Sequence, residues 1–202
     1  NAAANRQQEI GVDYQHKDLT LALTAFNIDT RDALVVDQSI NGRTTYVNAA
    51  GTERKGVEFN GTYQLTEHFD ARIALNYLDA TYTQGQFKSL QLPGIAKLNH
   101  YAQLNWSPFA NEFLKFGLSA VHRAQVAASD NNQINAPAYD TLDFSASGRI
   151  DLGVQTDWWI KLANLTDENY VGSVIVNQTN GRSFESASVR NLAAGVRFGY
   201  EF

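Results

Sequence analysis

His16, His68, His100 and His122 are the side chains of this 202-residue sequence best suited to hold a metal or move a proton near neutral pH. Their spacing gives neither HxxxH nor HxH, and no carboxylate accompanies them at ligand spacing, so a metal site would have to be assembled in three dimensions. Asp13, Glu58, Asp70 and Asp143 are carboxylates of the kind used in acid/base pairs, but each alternates with Gln, Asn, Thr, Arg or Ser, the pattern of a solvated wall. The sequence has no Cys, no Ser in a G-x-S-x-G elbow and no Gly-rich phosphate loop. Asp130-Asn131-Asn132 begins like a Ca²⁺ loop but lacks the Gly and Glu that complete one, and reads as a polar loop tip. The expectation is therefore no catalytic residue, no cofactor and no bound metal, with function carried by binding surfaces.

Composition narrows the scaffold that positions those surfaces. Hydrophobic residues make up 44% and charged residues 18%; Tyr and Phe are plentiful (9 and 11) and Pro is scarce (3), which favours strands over helices. No apolar run approaches the length of a transmembrane helix, a test that membrane barrels also pass. A net charge of −5 with no Lys/Arg cluster argues against electrostatic capture of nucleic acid. The chain has no Met, and Asn1-Ala2-Ala3-Ala4 resembles no signal segment, so the expectation is that a longer chain was cut here.

Along the sequence the hydrophobic period is two. Ile10, Val12 and Tyr14 alternate with Glu9, Gly11 and Asp13, and Phe69, Ala71, Ile73, Leu75 and Tyr77 alternate with Asp70, Arg72, Ala74 and Asn76. Leu19-Leu21-Leu23 and Phe26-Ile28 fall on opposite parities, for which a β-bulge is one explanation. Nine strands are expected near 7–16, 19–29, 44–65, 69–82, 97–107, 113–123, 139–150, 156–164 and 188–202. Their connections alternate, short at 16–18, 66–68, 108–112 and 151–155, long at 30–43, 83–96, 124–138 and 165–187. That alternation describes an all-β, antiparallel up-and-down meander with its tight turns on one side, as in a transmembrane β-barrel; Greek-key sandwiches place long crossovers at both ends. Tyr14, Tyr63, Phe69, Trp106, Phe109, Phe113 and Trp158 lie near the short turns, where an aromatic girdle would set rings against acyl chains and polar atoms toward headgroup water.

The final run alternates Leu192, Ala194, Val196, Phe198, Tyr200 and Phe202 with Gly195, Arg197, Gly199 and Glu201. It looks like the aromatic-terminated signal, here Phe198, Tyr200 and Phe202, by which the barrel-assembly machinery recognises bacterial barrels. Three further segments are Tyr46-Val47-Asn48-Ala49-Ala50-Gly51 leading to Lys55-Gly56-Val57-Glu58-Phe59, Leu92-Pro93-Gly94-Ile95-Ala96-Lys97, and Asn164-Leu165-Thr166-Asp167-Glu168-Asn169-Tyr170. In order and spacing they resemble TonB-dependent receptors, the outer-membrane transporters that import ferric siderophores, haem, cobalamin and similar scarce solutes. Ala96 departs from the pattern, standing where a second Pro is common.

The resemblance implies the C-terminal nine strands of a barrel of roughly 22, spanning residues 1–202, with the plug domain and N-terminal strands absent. It further implies a Gram-negative outer membrane as location. The implied partners are outer-membrane lipid, the rest of the barrel and its plug, TonB through the absent N-terminal part, the assembly machinery, and a small nutrient such as a ferric siderophore. An anionic iron chelate would be held by aromatic and Arg side chains of the long-loop end, for which Arg31, Arg43, Arg123, Tyr139 and Arg182 are placed. Other readings are a plug-free porin or adhesin barrel, a soluble β-sandwich binding module, and a barrel enzyme of the outer membrane. In the sandwich, Phe59, Ile73, Leu104, Phe116 and Phe144 would pack into a protein core; in the barrel they would face lipid.

Overall fold

A computed structural model describes residues 3–32, 34–48, 51–109, 113–151 and 153–199. The chain forms β1 (Ala4–His16), β2 (Leu19–Arg31), β3 (Leu34–Ile40), β4 (Arg43–Asn48), β5 (Gly51–Gln64), β6 (Phe69–Tyr82), β7 (Leu98–Trp106) and β8 (Lys115–Arg123). It continues through β9 (Val126–Ala127), β10 (Asn135–Ala136), β11 (Tyr139–Asp151), β12 (Gln155–Ala163), β13 (Val171–Val174), β14 (Phe184–Ser186) and β15 (Asn191–Gly199). Nine of these build one antiparallel sheet in the order β1-β2-β5-β6-β7-β8-β11-β12-β15, each strand beside its predecessor in the meander. The sheet is not closed. β3–β4, β9–β10 and β13–β14 are separate two-stranded pieces in the long connections.

Two rows across the sheet show how the alternation is used. One reads His16, Leu19, Tyr63, Ala71, Leu104, Leu118, Phe144, Leu162 and Leu192, nine strands with almost nothing polar. The row one residue away points to the other face and reads Gln15, Thr20, Thr62, Arg72, Gln103, Ser119 and Asp143. Successive strand residues point to opposite faces, so a single register makes one side greasy and the other wet.

No second layer covers the greasy side among the described residues. Ile73, Leu104 and Phe144 are 44%, 46% and 38% exposed, and Phe59 and Phe116 are half-buried only by their neighbours in the sheet. The sandwich reading fails on this point, because its core residues would be covered by the chain itself. Buried apolar residues instead collect at the long-loop end, where Ala80, Tyr82 and Leu92 pack with Val35 and Phe87, and Ala96, Val126 and Ala136 pack with Val171 and Val174.

The wet face is laced with polar contacts. Tyr101 donates to Gln103 at 2.7 Å, Gln103 to Asn105 at 2.9 Å, and Asn105 to Asp70 at 2.7 Å, while Lys115 closes the run on Asp70 at 2.8 Å. Arg149 pairs with Asp157 and Lys161 with Asp143 on the same face. Asp13, Glu58, Asp70 and Asp143 all stand there, as wall residues.

Two expectations are corrected, and one falls partly outside the described residues. No bulge interrupts β2, which pairs without a break from Leu19 to Arg31 on both sides; Phe26 and Ile28 simply face the wet side, and the Phe26 ring lies over Gly56, where a Cβ would collide with it. The expected strand 44–65 is two strands, because Asn41-Gly42, with φ of +49° and +78°, turns β4 back onto β3 before β5 joins the sheet. Tyr200 and Phe202 lie outside the described residues, while Phe198 stands on the greasy face, 70% exposed.

A cation placed in hydrocarbon loses its hydration, whereas one on the wet wall keeps it. Ile73→Arg should lower unfolding stability in lipid vesicles by about 2–4 kcal/mol. Asn60→Arg, on the opposite face beside Ala22 and Ala74, should change it by no more than about 1 kcal/mol. Urea titration followed by tryptophan fluorescence reads both.

Candidate ligand-facing loop cluster

The long connections meet at one end of the sheet and are tied together by side-chain amides and one carboxylate. Asn177 donates to the Val36 carbonyl at 2.6 Å and to Asp130 at 2.9 Å, and accepts from the Asp130 backbone N–H at 3.1 Å. Tyr82 donates its phenol to the other Asp130 oxygen at 2.6 Å. Asn132 binds both the N–H and the carbonyl of Gln91, at 2.8 and 2.9 Å. Four connections thus converge on Asp130, Asn132 and Asn177, and both asparagines sit at positive φ (+54° and +53°), a conformation Asn tolerates better than most residues. The segment expected to be a mere loop tip is the hub of the cap.

Over this hub lies a cleft of about 590 Å³ lined by Val35, Asp37, Tyr82, Phe87, Asp130, Asn177 and Gln178 among others. Its lining is amide, hydroxyl, aromatic, carboxylate and valine, with no basic residue among the described ones. A second cleft, about 510 Å³, lies against the wall below, with Glu58, Asn60, Asn76, Tyr101, Arg123 and Tyr139 among its lining.

Of the five residues placed by sequence for ligand contact, two meet in the second cleft and three line neither. Arg123 and Tyr139 are cross-strand partners on β8 and β11 and share the second cleft. Tyr139 packs against Tyr170 with ring centroids 4.2 Å apart and planes tilted by 33°. Burial and the neighbouring Tyr139 hold the Tyr170 phenol above the usual tyrosine range, so it stays neutral. Arg31 is exposed at the end of β2, Arg43 begins β4, and Arg182 is exposed in the turn before β14, so these three do not converge with the other two.

Among the aromatics near the short turns, Tyr14, Tyr63, Phe69, Trp106, Phe109 and Phe113 are 38–50% exposed and Trp158 is half-buried. Phe69 stacks on Trp106 at 6.3 Å, Trp106 on Phe116 at 5.5 Å, and Phe109 meets Phe113 edge-on at 5.7 Å. His68 donates from Nδ1 to the Ser107 carbonyl, 2.8 Å away, joining two of the short turns. His100, His122 and Asp140, far apart in sequence, are brought together on three adjacent strands.

The family profile described as TonB dependent receptor-like, beta-barrel, matches residues 4–197. The chain belongs to the TonB-dependent receptor β-barrel family. Solved receptors share the architecture: the ferric yersiniabactin uptake receptor FyuA from Yersinia pestis superposes with a TM-score of 0.79 at 18% identity, over 98% of this chain and 30% of its own. The ferric preacinetobactin receptor BauA from Acinetobacter baumannii gives 0.76 at 18%, over 96% and 29%. The copper transporter OprC gives 0.76 at 17%, over 98% and 31%. At such identities the likeness carries the fold alone, and the chain spans less than a third of each of these receptors. Members of this family are Gram-negative outer-membrane receptors and transporters, and in this one the unclosed nine-stranded sheet is a section of barrel wall with the loop cap above it.

Asn177→Ala removes the donor to Val36 and Asp130 and leaves a part-buried carboxylate short of a partner. Protease cleavage within residues 34–48 and 171–186 should then accelerate by about tenfold, the equivalent of roughly 1.4 kcal/mol. The short-turn end should keep its wild-type cleavage pattern, as mass spectrometry of the fragments will show.

Proposed function

We propose that this chain supplies nine adjacent strands and their long loops to an energy-coupled outer-membrane receptor that imports a ferric siderophore or similar scarce nutrient. The observation that carries this reading is the two-faced single layer: apolar side chains with no protein over them, and an opposite face of ion pairs and amides suited to a water-filled or plugged lumen. The remaining strands close the sheet in this reading, since the outer edges of β1 and β15 carry backbone groups that lipid cannot satisfy. A plug, and the segment that engages TonB, belong to parts of the protein outside these residues.

On the short-turn side Tyr14, Tyr63, Phe69, Trp106, Phe109, Phe113 and Trp158 form the periplasmic aromatic girdle. Phe198, Tyr200 and Phe202 serve the barrel-assembly machinery. The long-loop end is extracellular, and ligand passes from the cap to the wall cleft, where Arg123 meets an anionic group and Tyr139 packs against it. Arg31, Arg43 and Arg182 act farther out, in capture. The family consists of receptors and transporters, and the chain performs no covalent chemistry in this reading.

Uptake of radiolabelled iron supplied as a panel of ferric siderophores tests the proposal. Cells producing the full-length protein should accumulate label from one chelate only when TonB is intact, and deletion of the gene should abolish it. Uptake that continues without TonB would indicate a plug-free pore and contradict the reading. Arg123→Ala should raise the half-saturating chelate concentration by about tenfold, and Arg43→Ala by less than about twofold.

A further inference from the structure

His100 and His122 face each other across β7 and β8, and Asp140 faces His122 across β8 and β11. All three lie on the greasy face of the wall, in the row Leu75, His100, His122, Asp140. Below them the belt begins with Ala102, Ala120 and Leu142. On neighbouring strands that row continues apolar through Leu75, Phe59 and Leu23, and the same face turns polar farther toward the loops, at Asp79, Lys55 and Asn27. The triad therefore sits toward the loop-cap end of the apolar face; strand register sets its side chains opposite that of Arg123, although His100 and His122 also border the cleft that holds Arg123.

The imidazoles of His100 and His122 stack with centroids 4.7 Å apart and planes 13° from parallel. His122 Nδ1 lies 2.8 Å from an Asp140 oxygen. One ligand atom from each of the three falls within 4.8 Å of the others. Tetrahedral Zn²⁺ with bonds of about 2.0–2.1 Å needs donors roughly 3.3 Å apart, so closure asks for modest side-chain rotations. Those rotations are available, because His100 and Asp140 are exposed and only His122 is part-covered. The backbones beneath them are fixed by unbroken ladders, so the three side chains are brought to one place before any ion arrives. Arg123, adjacent to His122 in the chain, points to the opposite face, and Lys97 is engaged with Asp79 at 3.0 Å.

We propose that His100, His122 and Asp140 form a binding site for a borderline divalent transition ion, Zn²⁺ or Cu²⁺, on the membrane-facing side of the wall toward its loop-cap end. Two imidazoles select such ions over Ca²⁺ and Mg²⁺, which prefer all-oxygen shells. Asp140 supplies the anionic third donor, and water completes the shell from the open side. The ion would tie β7, β8 and β11 together.

Tag-free full-length protein in detergent, titrated with ZnCl2 against a chromophoric chelator, tests the site. Wild type should bind one equivalent that the double variant His100→Ala, His122→Ala lacks, with affinity there reduced by about a hundredfold, and Asp140→Asn should lose on the order of tenfold. Cu²⁺ electron paramagnetic resonance should show coupling to two nitrogens in wild type and not in the double variant. Retention of the heat-modifiable folded band in gels establishes that each variant is folded, and His122→Phe, which keeps an aromatic ring in the stack, provides a second variant that should lose the ion. Equal binding by wild type and the folded double variant, or no equivalent bound by wild type, would overturn the proposal. Neither result bears on TonB-dependent uptake, which is read separately.

Discussion

The structure depends on one constraint: a strand in hydrocarbon must satisfy every backbone N–H and C=O from another strand, because the solvent offers nothing. The nine-stranded sheet meets it with ladders that run in register from β1 to β15. Side chains are then free to serve two solvents, and Leu104, Leu118 and Phe144 follow one another across the greasy row while Gln103, Ser119 and Asp143 do so one residue away. Burial within the chain is displaced to the loop cap, where Leu92 and Val126 are 4% and 3% exposed. Packing in this molecule therefore stabilises the loop cap, and backbone pairing together with lipid stabilises the wall.

The motif residues have local physical reasons. Asn164 takes a positive φ of +54°, is 3% exposed, and its side chain binds both the N–H and the carbonyl of Glu168, folding the chain sharply as it leaves β12. Its own N–H donates to Asp143 on the neighbouring strand at 2.8 Å. Asp167 accepts from the Arg190 backbone N–H, which holds the return into β15, and Tyr170 reaches across to pack against Tyr139. Similarly Gly94, at φ +81°, lets the Leu92-Pro93-Gly94 turn bring its N–H to the Ala127 carbonyl at 2.8 Å. These side chains shape the connections on which the loop cap is hung.

Period-two patterning and the alternation of short and long connections made the wall legible in the sequence, because both are set by neighbours along the chain. What escaped was set by neighbours across it. Phe26 faces the wet side because Gly56 on the next strand leaves room for its ring. The β3–β4 hairpin did carry a local signal, the Asn41-Gly42 pair, and the long run after it concealed that signal. Asp130 and Asn177 become a hub only when connections 47 residues apart in sequence meet, and no spacing announces that. His100, His122 and Asp140 are likewise adjacent only through strand register. Of the five residues placed for ligand contact, position at the long-loop end was readable, whereas convergence of Arg123 with Tyr139 and not with Arg43 required the fold.

The central claim is that the greasy face has lipid as its solvent. Spin labels at single cysteines placed successively from Asp70 to Asn76 on β6, in full-length protein reconstituted into vesicles, test it most directly, and this chain contributes no Cys of its own. Positions 71, 73 and 75 should be relaxed by oxygen dissolved in the bilayer, and 70, 72, 74 and 76 should be shielded from it. Loss of that alternation, with the odd positions shielded from oxygen by protein, would contradict the account.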